Sequence, residues 1–215
     1  FDRVKKLNLR NSVFIDNTAN NYVASTYTKY LKNNIGVVTC NKIACSDNYE
    51  NYIKLKNLSK KYNTPFLFET NVGAGLPIID TLNHLIASGD KINKIQAILS
   101  GSLNFIFNNY NTTRSFRDVV YDAMEKGYTE PNPKIDLSGV DVSRKILILA
   151  RECGHKVELE DVVNYKFLSD DCLNSINNDD LFKNLLKNEK HFKDLYNKAN
   201  DKNCKLNMLQ IMRMV

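Results

Sequence analysis

The chain has 215 residues, 43% of them hydrophobic, enough to bury a sizeable core in one or two domains. Its formal net charge is +6, but lysines and carboxylates are interspersed along the whole length, the pattern of a solvated surface, and no motif that reads nucleic-acid bases accompanies it. No apolar run approaches the roughly 20 residues that span a bilayer, and the sequence shows no basic-then-apolar amino-terminal segment with a cleavage site. Neither a nucleic acid nor a membrane is therefore expected as a partner. The five cysteines (Cys40, Cys45, Cys153, Cys172 and Cys204) lack C-x-x-C spacing. That argues against a zinc site or a disulfide framework and fits a reducing cytoplasm.

In chain order, Ser12 to Asp16 is a short apolar run of buried-strand type that ends in Asp-Asn-Thr. A helical face follows, with Tyr22, Val23, Thr26, Tyr27, Tyr30 and Leu31. Ile35 to Cys40 is a second strand, closed by Asn41 and Lys42. Asp47 is placed to cap a further helix that turns Tyr49, Tyr52, Ile53 and Leu58 inward, and Pro65 to Glu69 is a third strand. Short apolar strands alternating with amphipathic helices predict an α/β fold with a parallel sheet and crossover helices. Ligands of such sheets collect at the carboxyl ends of the strands. Asp16-Asn17-Thr18, Asn41-Lys42 and Glu69-Thr70-Asn71 all fall there. Each has a plainer reading alone, with Thr18 or Asn20 as a helix cap and Lys42 as a surface lysine. Three polar clusters on one edge favour a shared ligand site.

The G-x-G-x-x-G dinucleotide fingerprint is missing, and Gly73-Ala74-Gly75, with Ile78 in the third glycine's place, is a weak imitation. A dinucleotide domain would open with that fingerprint one βα unit before residue 1, so the chain is expected to be a fragment cut inside its first domain. Pro77 to Ala87 predicts a helix and Gly89-Asp90 a turn. Ile92 to Ser100 alternates apolar and polar residues like an antiparallel strand with one wet face, and Gly101 to Ile106 opens another helix. The change of character near residue 69 marks the expected boundary between domains 1–68 and 69–215.

Residues 123 to 145, AMEKGYTEPNPKIDLSGVDVSRK, lie between two helical patterns. Phe116, Val119, Val120, Ala123 and Met124 form the first, which ends at Gly127. Val142, Ile146, Leu149 and Ala150 form the second, with Gly154 as its cap. The density of prolines, glycines and charged residues between them (Glu130, Asp136, Asp141, Arg144, Lys145) marks a candidate site. Farther on, Asp180 to Lys187 and Glu189 to Ala199 read as amphipathic helices, and Cys204 to Val215 as a strand with no partner after it. His84, His155 and His191 lack ligand-like neighbours and read as structural or surface residues.

GYTEPNPKIDLSGVDVSRK resembles the signature of homoserine dehydrogenases, G-Y-T-E-P-D-P-x-x-D-L-x-G-x-D-x-x-R-K, departing from it at Asn132. ETNVGAGLP (69–77) resembles the family's glycine-rich loop, and Gly101 to Ile106 its S-G-T-L-N-F-I segment. The resemblance covers roughly residues 12 to 170. It implies an incomplete Rossmann-type domain over 1–68, then an α+β substrate-binding and dimerisation domain over 69–215 with a mixed or antiparallel sheet, truncated at its carboxyl end. It implies NAD(P)-dependent interconversion of L-homoserine and L-aspartate 4-semialdehyde in threonine and methionine synthesis. NKIACS and FLFETNVGAGLP look most like the version fused to an aspartate kinase. A homodimer or higher homo-oligomer is the family's expected assembly.

Residue roles follow from the resemblance. The chemistry needs a group that gives a proton to a carbonyl oxygen and takes it back from an alcohol, and a lysine of lowered pKa can do both. Lys145, the signature's final lysine, is the expected proton carrier. Asp141, four residues earlier, could orient its ammonium, although Ser138-Gly-Val-Asp141 also has the form of a capping box. The resemblance assigns substrate contacts to Gly127, Glu130, Asp136, Asp141 and Lys42, and cofactor contacts to Thr18 and Lys42. Ala19 stands where the family often has serine. The carbonyls of Glu69, Val72, Ala74 and Leu76 would hold a monovalent cation such as sodium, while a tight strand-to-helix turn explains the same residues without an ion. Two rival readings stay open: another nicotinamide oxidoreductase of the same plan, and a truncated, non-catalytic substrate-binding module. With the phosphate loop absent, the isolated segment is expected to bind no nucleotide.

Overall fold

A computed structural model describes residues 1–213. After a short exposed helix, α1 (Asp2–Leu7), three apolar runs pair side by side in the order β1 (Val13–Asp16), β2 (Gly36–Thr39), β3 (Phe66–Leu67). Both pairings are parallel, as the alternation with helices predicted, with Asp16 opposite Thr39 and Val37 opposite Phe66. Side chains of a strand alternate between faces. One face carries Val37 and Phe66 into a buried core with Tyr27, Tyr30, Leu31, Tyr52 and Leu55, and Phe14 stacks on Tyr30 at 4.1 Å. The other face presents Val13, Ile15, Val38 and Leu67, each between 38% and 63% exposed.

The helical pattern after β1 is broken in two, α2 (Asn21–Ser25) and α3 (Tyr27–Leu31). The Thr26 backbone N–H donates to the carbonyl of Val23 rather than that of Tyr22, and its hydroxyl donates to the same oxygen at 2.6 Å. This tightens the turn and leaves Tyr22 exposed instead of on the inner face. Helix α4 (Ile43–Ser46) precedes α5 (Tyr49–Tyr62), whose cap is Asn48, accepting from Glu50 N at 2.8 Å. Asp47, expected in that role, instead accepts from the amide of Asn51. β3 is shorter than the 65–69 run because the chain turns after Phe68 into α6 (Thr70–Gly73); α7 (Ile78–Ala87) follows.

β4 (Lys94–Ala97) and β5 (Gln210–Arg213) pair as a small antiparallel sheet. The strand expected from Cys204 thus starts only at Gln210, and its partner comes earlier in the chain; positions 214 and 215 lie outside the described residues. Between them run α8 (Gly101–Asn109), α9 (Phe116–Glu125), α10 (Pro133–Leu137), α11 (Val140–Glu152), α12 (Asp170–Leu173), α13 (Asn178–Lys187) and α14 (Glu189–Asn200). Ser100 and Ser115 cap α8 and α9 by accepting from Leu103 N and Asp118 N. Leu103, Ile106, Phe116, Val119, Val120, Leu181, Leu185 and Phe192 form one core, with Phe116 stacked on Phe192 at 4.0 Å.

The chain divides into two units. Unit 1 comprises Phe1–Lys94, Arg144–Val162 and the strand end from Met212, and unit 2 comprises Ile95–Ser143 and Val163–Ile211. In unit 1, the end of α11 is fixed to α4 and α5 by buried charge. Glu152 accepts from the hydroxyl of Tyr52 and pairs with Lys56 Nζ at 2.9 Å. Arg151 donates to the carbonyls of Cys45, Asp47 and Val157 and pairs with Glu158 at 2.8 Å.

Candidate active site

At the carboxyl edge of the parallel sheet, unit 1 brings together the three polar clusters singled out in the sequence. Asp16, at the end of β1, is 1% exposed. Its carboxylate accepts from Thr18 N at 2.8 Å, from Asn41 Nδ2 at 3.1 Å and from the hydroxyl of Tyr27. Burial alone would raise its pKa, but the hydrogen bonds from Tyr27, Thr18 and Asn41 outweigh it and hold the group below the ordinary carboxylate value. The phenol of Tyr27 is pushed up, first by burial and then by the carboxylate beside it. Asn71, fully buried, donates to the carbonyls of Thr39 and Cys40 at 3.1 Å each once its amide is oriented to its neighbours. Thr18 stands exposed on the turn after β1, and Lys42 is half-buried at the start of α4. Asn20, not Thr18, caps α2, accepting from Val23 N.

The loop after β3 is tightly built. The Glu69 carboxylate accepts from Ile79 N and Asp80 N at 2.8 Å each and so caps α7 across the loop. Its side chain is thereby committed, leaving the backbone oxygen as its means of meeting an ion. The left-handed residue is Ala74, with φ +52°, not a glycine. Gly73 is required for another reason: a Cβ there would lie 2.4 Å from Ile78 Cγ1. Leu76 N donates to Gly73 O at 3.0 Å, and Leu76 O accepts from Ile78 N at 2.9 Å. Val72 is buried, and Ala74 and Leu76 are exposed. Among the described residues, no group of three or more His, Cys, Asp and Glu side chains stands as a metal centre.

In unit 2 the signature segment folds on itself around Asp136. Its Oδ1 accepts from Ser102 Oγ at 2.8 Å and its Oδ2 from Glu130 N at 2.9 Å. Ser100 Oγ lies 2.9 Å from Ser102 Oγ. Gly127, at φ +70°, ends α9, and Tyr128 N closes the turn on Ala123 O at 2.8 Å. Tyr128 then stacks on Phe105, centroids 4.4 Å apart. Pro131 O accepts from Asn178 Nδ2, and Asn132 caps α10 by accepting from Lys134 N at 3.1 Å. The departure at position 132 thus keeps the capping oxygen and changes only the charge. Glu130 and Gly127 are exposed, and Asp136 and Asp141 are half-buried.

Lys145 is half-buried in unit 1, one turn after Asp141 in α11. The hydroxyl of Ser138, read as one end of a capping box, accepts from Val140 N at 3.3 Å and donates to Ile135 O. The sequence places Asp16 in a polar cluster at the ligand edge but does not announce Tyr27 as its partner, nor Ser102 as the partner of Asp136. A carboxylate closing an apolar strand, eleven residues before a tyrosine on the inner helical face, is the signal that could have exposed Asp16.

Residues 77–214 match the family model for homoserine dehydrogenase, and residues 2–69 match that for its NAD-binding domain. The chain belongs to the homoserine dehydrogenase family. It is 51% identical over 152 residues, 71% of its length, to bifunctional aspartokinase/homoserine dehydrogenase 2, chloroplastic, of Zea mays, of which it covers 17%. It is 45% identical over 152 residues, 68% of its length, to homoserine dehydrogenase of Schizosaccharomyces pombe, of which it covers 40%. A hyperthermophilic archaeal homoserine dehydrogenase mutant in complex with NADPH superposes over 66% of this chain and 44% of that one, with a TM-score of 0.59 at 30% identity. The chain therefore spans less than half the length of each of these proteins. The two family models meet on either side of the glycine loop, one ending at Glu69 and the other opening at Pro77.

Proposed function

We propose that the protein carrying this chain interconverts L-homoserine and L-aspartate 4-semialdehyde with NADP or NAD, in threonine and methionine synthesis. The observation that carries this reading is the match to the homoserine dehydrogenase model over 77–214, a span that holds the signature segment folded around Asp136. When bound, the nicotinamide supplies or accepts the hydride. Lys145 gives a proton to the aldehyde oxygen in reduction and takes it from the alcohol in oxidation. Asp141, one helical turn before it, orients the ammonium. The substrate's own ammonium calls for carboxylates, and Glu130 and Asp136 supply them, with Gly127 leaving room beside them. Two hydrogen bonds hold Asp136 in one orientation, the pre-organisation that binding needs. Lys42 meets cofactor and substrate, and Thr18 meets the cofactor. The carbonyls of Glu69, Val72, Ala74 and Leu76 hold a monovalent cation such as sodium.

On this reading residues 1–68 are the later part of a dinucleotide-binding domain, and residues 69–215 form the catalytic and dimerisation domain. The whole protein joins this activity to an aspartate kinase, as in the Zea mays relative's name, and works as a homodimer or higher homo-oligomer. The cysteine pattern supports a reducing setting, read here as cytoplasmic, while the Zea mays relative is named as chloroplastic. No helix among the described residues is long and apolar enough to cross a membrane.

The test is made on the full-length protein by following reduced-nicotinamide absorbance with L-homoserine. Lys145→Ala is expected to lower kcat by about a hundredfold or more. Turnover that survives the substitution removes Lys145 from the mechanism but keeps the activity. A folded wild type with no turnover overturns the activity itself.

A further inference from the structure

Asp16 is a buried carboxylate at the sheet edge that the proposed chemistry does not use. A buried carboxylate costs free energy unless its lone pairs are filled, and an apolar residue would fill the same volume without that cost. The donors that fill it come from separate segments: the backbone of Thr18, the side chain of Tyr27 on α3, and Asn41 beyond β2. Asn41 is itself fully used. Its nitrogen donates to Asp16 and, at 3.0 Å, to Asn20 O, while its oxygen accepts from Ile43 N at 3.1 Å. One amide thus ties the turn after β1 to the first turn of α4, where Lys42 stands. Thr39 Oγ1 lies 2.8 Å from the hydroxyl of Tyr27 and accepts from Asn41 N at 2.8 Å, and Asn71 closes the cluster from the β3 side.

We propose that Asp16 is a positioning residue: its buried carboxylate joins the Asn17–Asn20 turn to the Asn41–Ile43 turn and so sets Thr18 and Lys42 for a dinucleotide at this edge. The proposal rests on the reading of Thr18 and Lys42 given above. Its specificity lies in direction. An apolar residue at position 16 could pack β1, but only an acceptor with two oxygens can hold Thr18 N through one and both Tyr27 and Asn41 through the other.

The experiment uses the full-length protein and titrates reduced nicotinamide dinucleotide by fluorescence, without homoserine, alongside steady-state kinetics. Asp16→Asn keeps the shape but loses the charge and one accepting atom, and Tyr27→Phe removes one donor. Tyr52→Phe is the matched control, since it too deletes a buried phenol that donates to a carboxylate, Glu152, away from the edge. Asp16→Asn is expected to raise Kd about tenfold or more, Tyr27→Phe about threefold or more, and Tyr52→Phe less than about twofold. KM for the dinucleotide is expected to follow Kd, with kcat at saturation within about threefold of wild type. An Asp16→Asn protein that binds as wild type does overturns the proposal alone, as does a Tyr52→Phe effect equal to that of Tyr27→Phe. A folded wild type that binds no dinucleotide overturns the cofactor reading and the proposal with it. Should Asp16→Asn fail to fold, the comparison of the two tyrosine variants decides.

Discussion

At the scale of single residues, the hydrogen bonds to the Asp16 carboxylate give the protein a pH dependence of definite sign. Its folded pKa lies below the unfolded value of 3.8. The stability it contributes is therefore complete above that value and is lost as pH falls through it toward the folded pKa. Asp16→Asn is expected to flatten the acid limb of a stability-against-pH curve below about pH 4, measured by urea unfolding at successive pH values. A wild-type and variant pair with parallel acid limbs would show that the carboxylate is not held as described. The turns of the signature segment were legible from the sequence: Gly127 ends α9 in the left-handed region, and Asn132 keeps a capping oxygen. The donors to Asp16 and Asp136 were not. Tyr27 and Ser102 come from helices 11 and 34 residues distant in sequence from the groups they meet, and no local pattern announces such a contact.

At the scale of elements, the helices with a long apolar stripe were readable and the short ones were not. The pattern Phe116, Val119, Val120, Ala123 is the buried face of α9, as its spacing predicts. In contrast, α4, α10 and α12 are four or five residues long, too short to display a period. α10 depends instead on its ends. Pro133 opens it, and Asn132 caps it through Lys134 N. Asn132→Ala is expected to cost about 1 kcal/mol. Asn132→Asp, which restores the family's residue, keeps the acceptor and adds a negative charge at the helix start, a gain of a few tenths of a kcal/mol. Chemical denaturation of the three proteins checks both, and an alanine variant as stable as the parent would mean that α10 is held by packing alone.

At the scale of the whole molecule, each unit has its own interior, and each is sealed by a different device. Unit 2 relies on aromatic packing around Phe116 and Phe192, with Glu189 accepting from Phe116 N and Tyr110 Oη to fix α14 over it. Unit 1 relies on charge: Arg151 and Glu152 stand side by side in sequence and both are buried, against different partners. The apolar cores follow from periodicity. A buried arginine and glutamate at the end of a helix do not, because on a helical wheel they read as its solvated face.

The face of the parallel sheet opposite α3 and α5 has a consequence for handling. Sheets of this kind are ordinarily covered on both sides, yet Val13, Ile15, Val38 and Leu67 form a contiguous apolar surface across three paired strands. As a free polypeptide, the 215-residue chain should be colloidally sticky, adsorbing to surfaces and lighting up an environment-sensitive dye such as ANS. Replacing Ile15 and Leu67 together by threonine keeps strand-forming side chains and wets the patch. Dye fluorescence should then fall by about half or more at unchanged far-UV circular dichroism. Dye binding untouched by the pair would place the adhesive surface elsewhere on the chain.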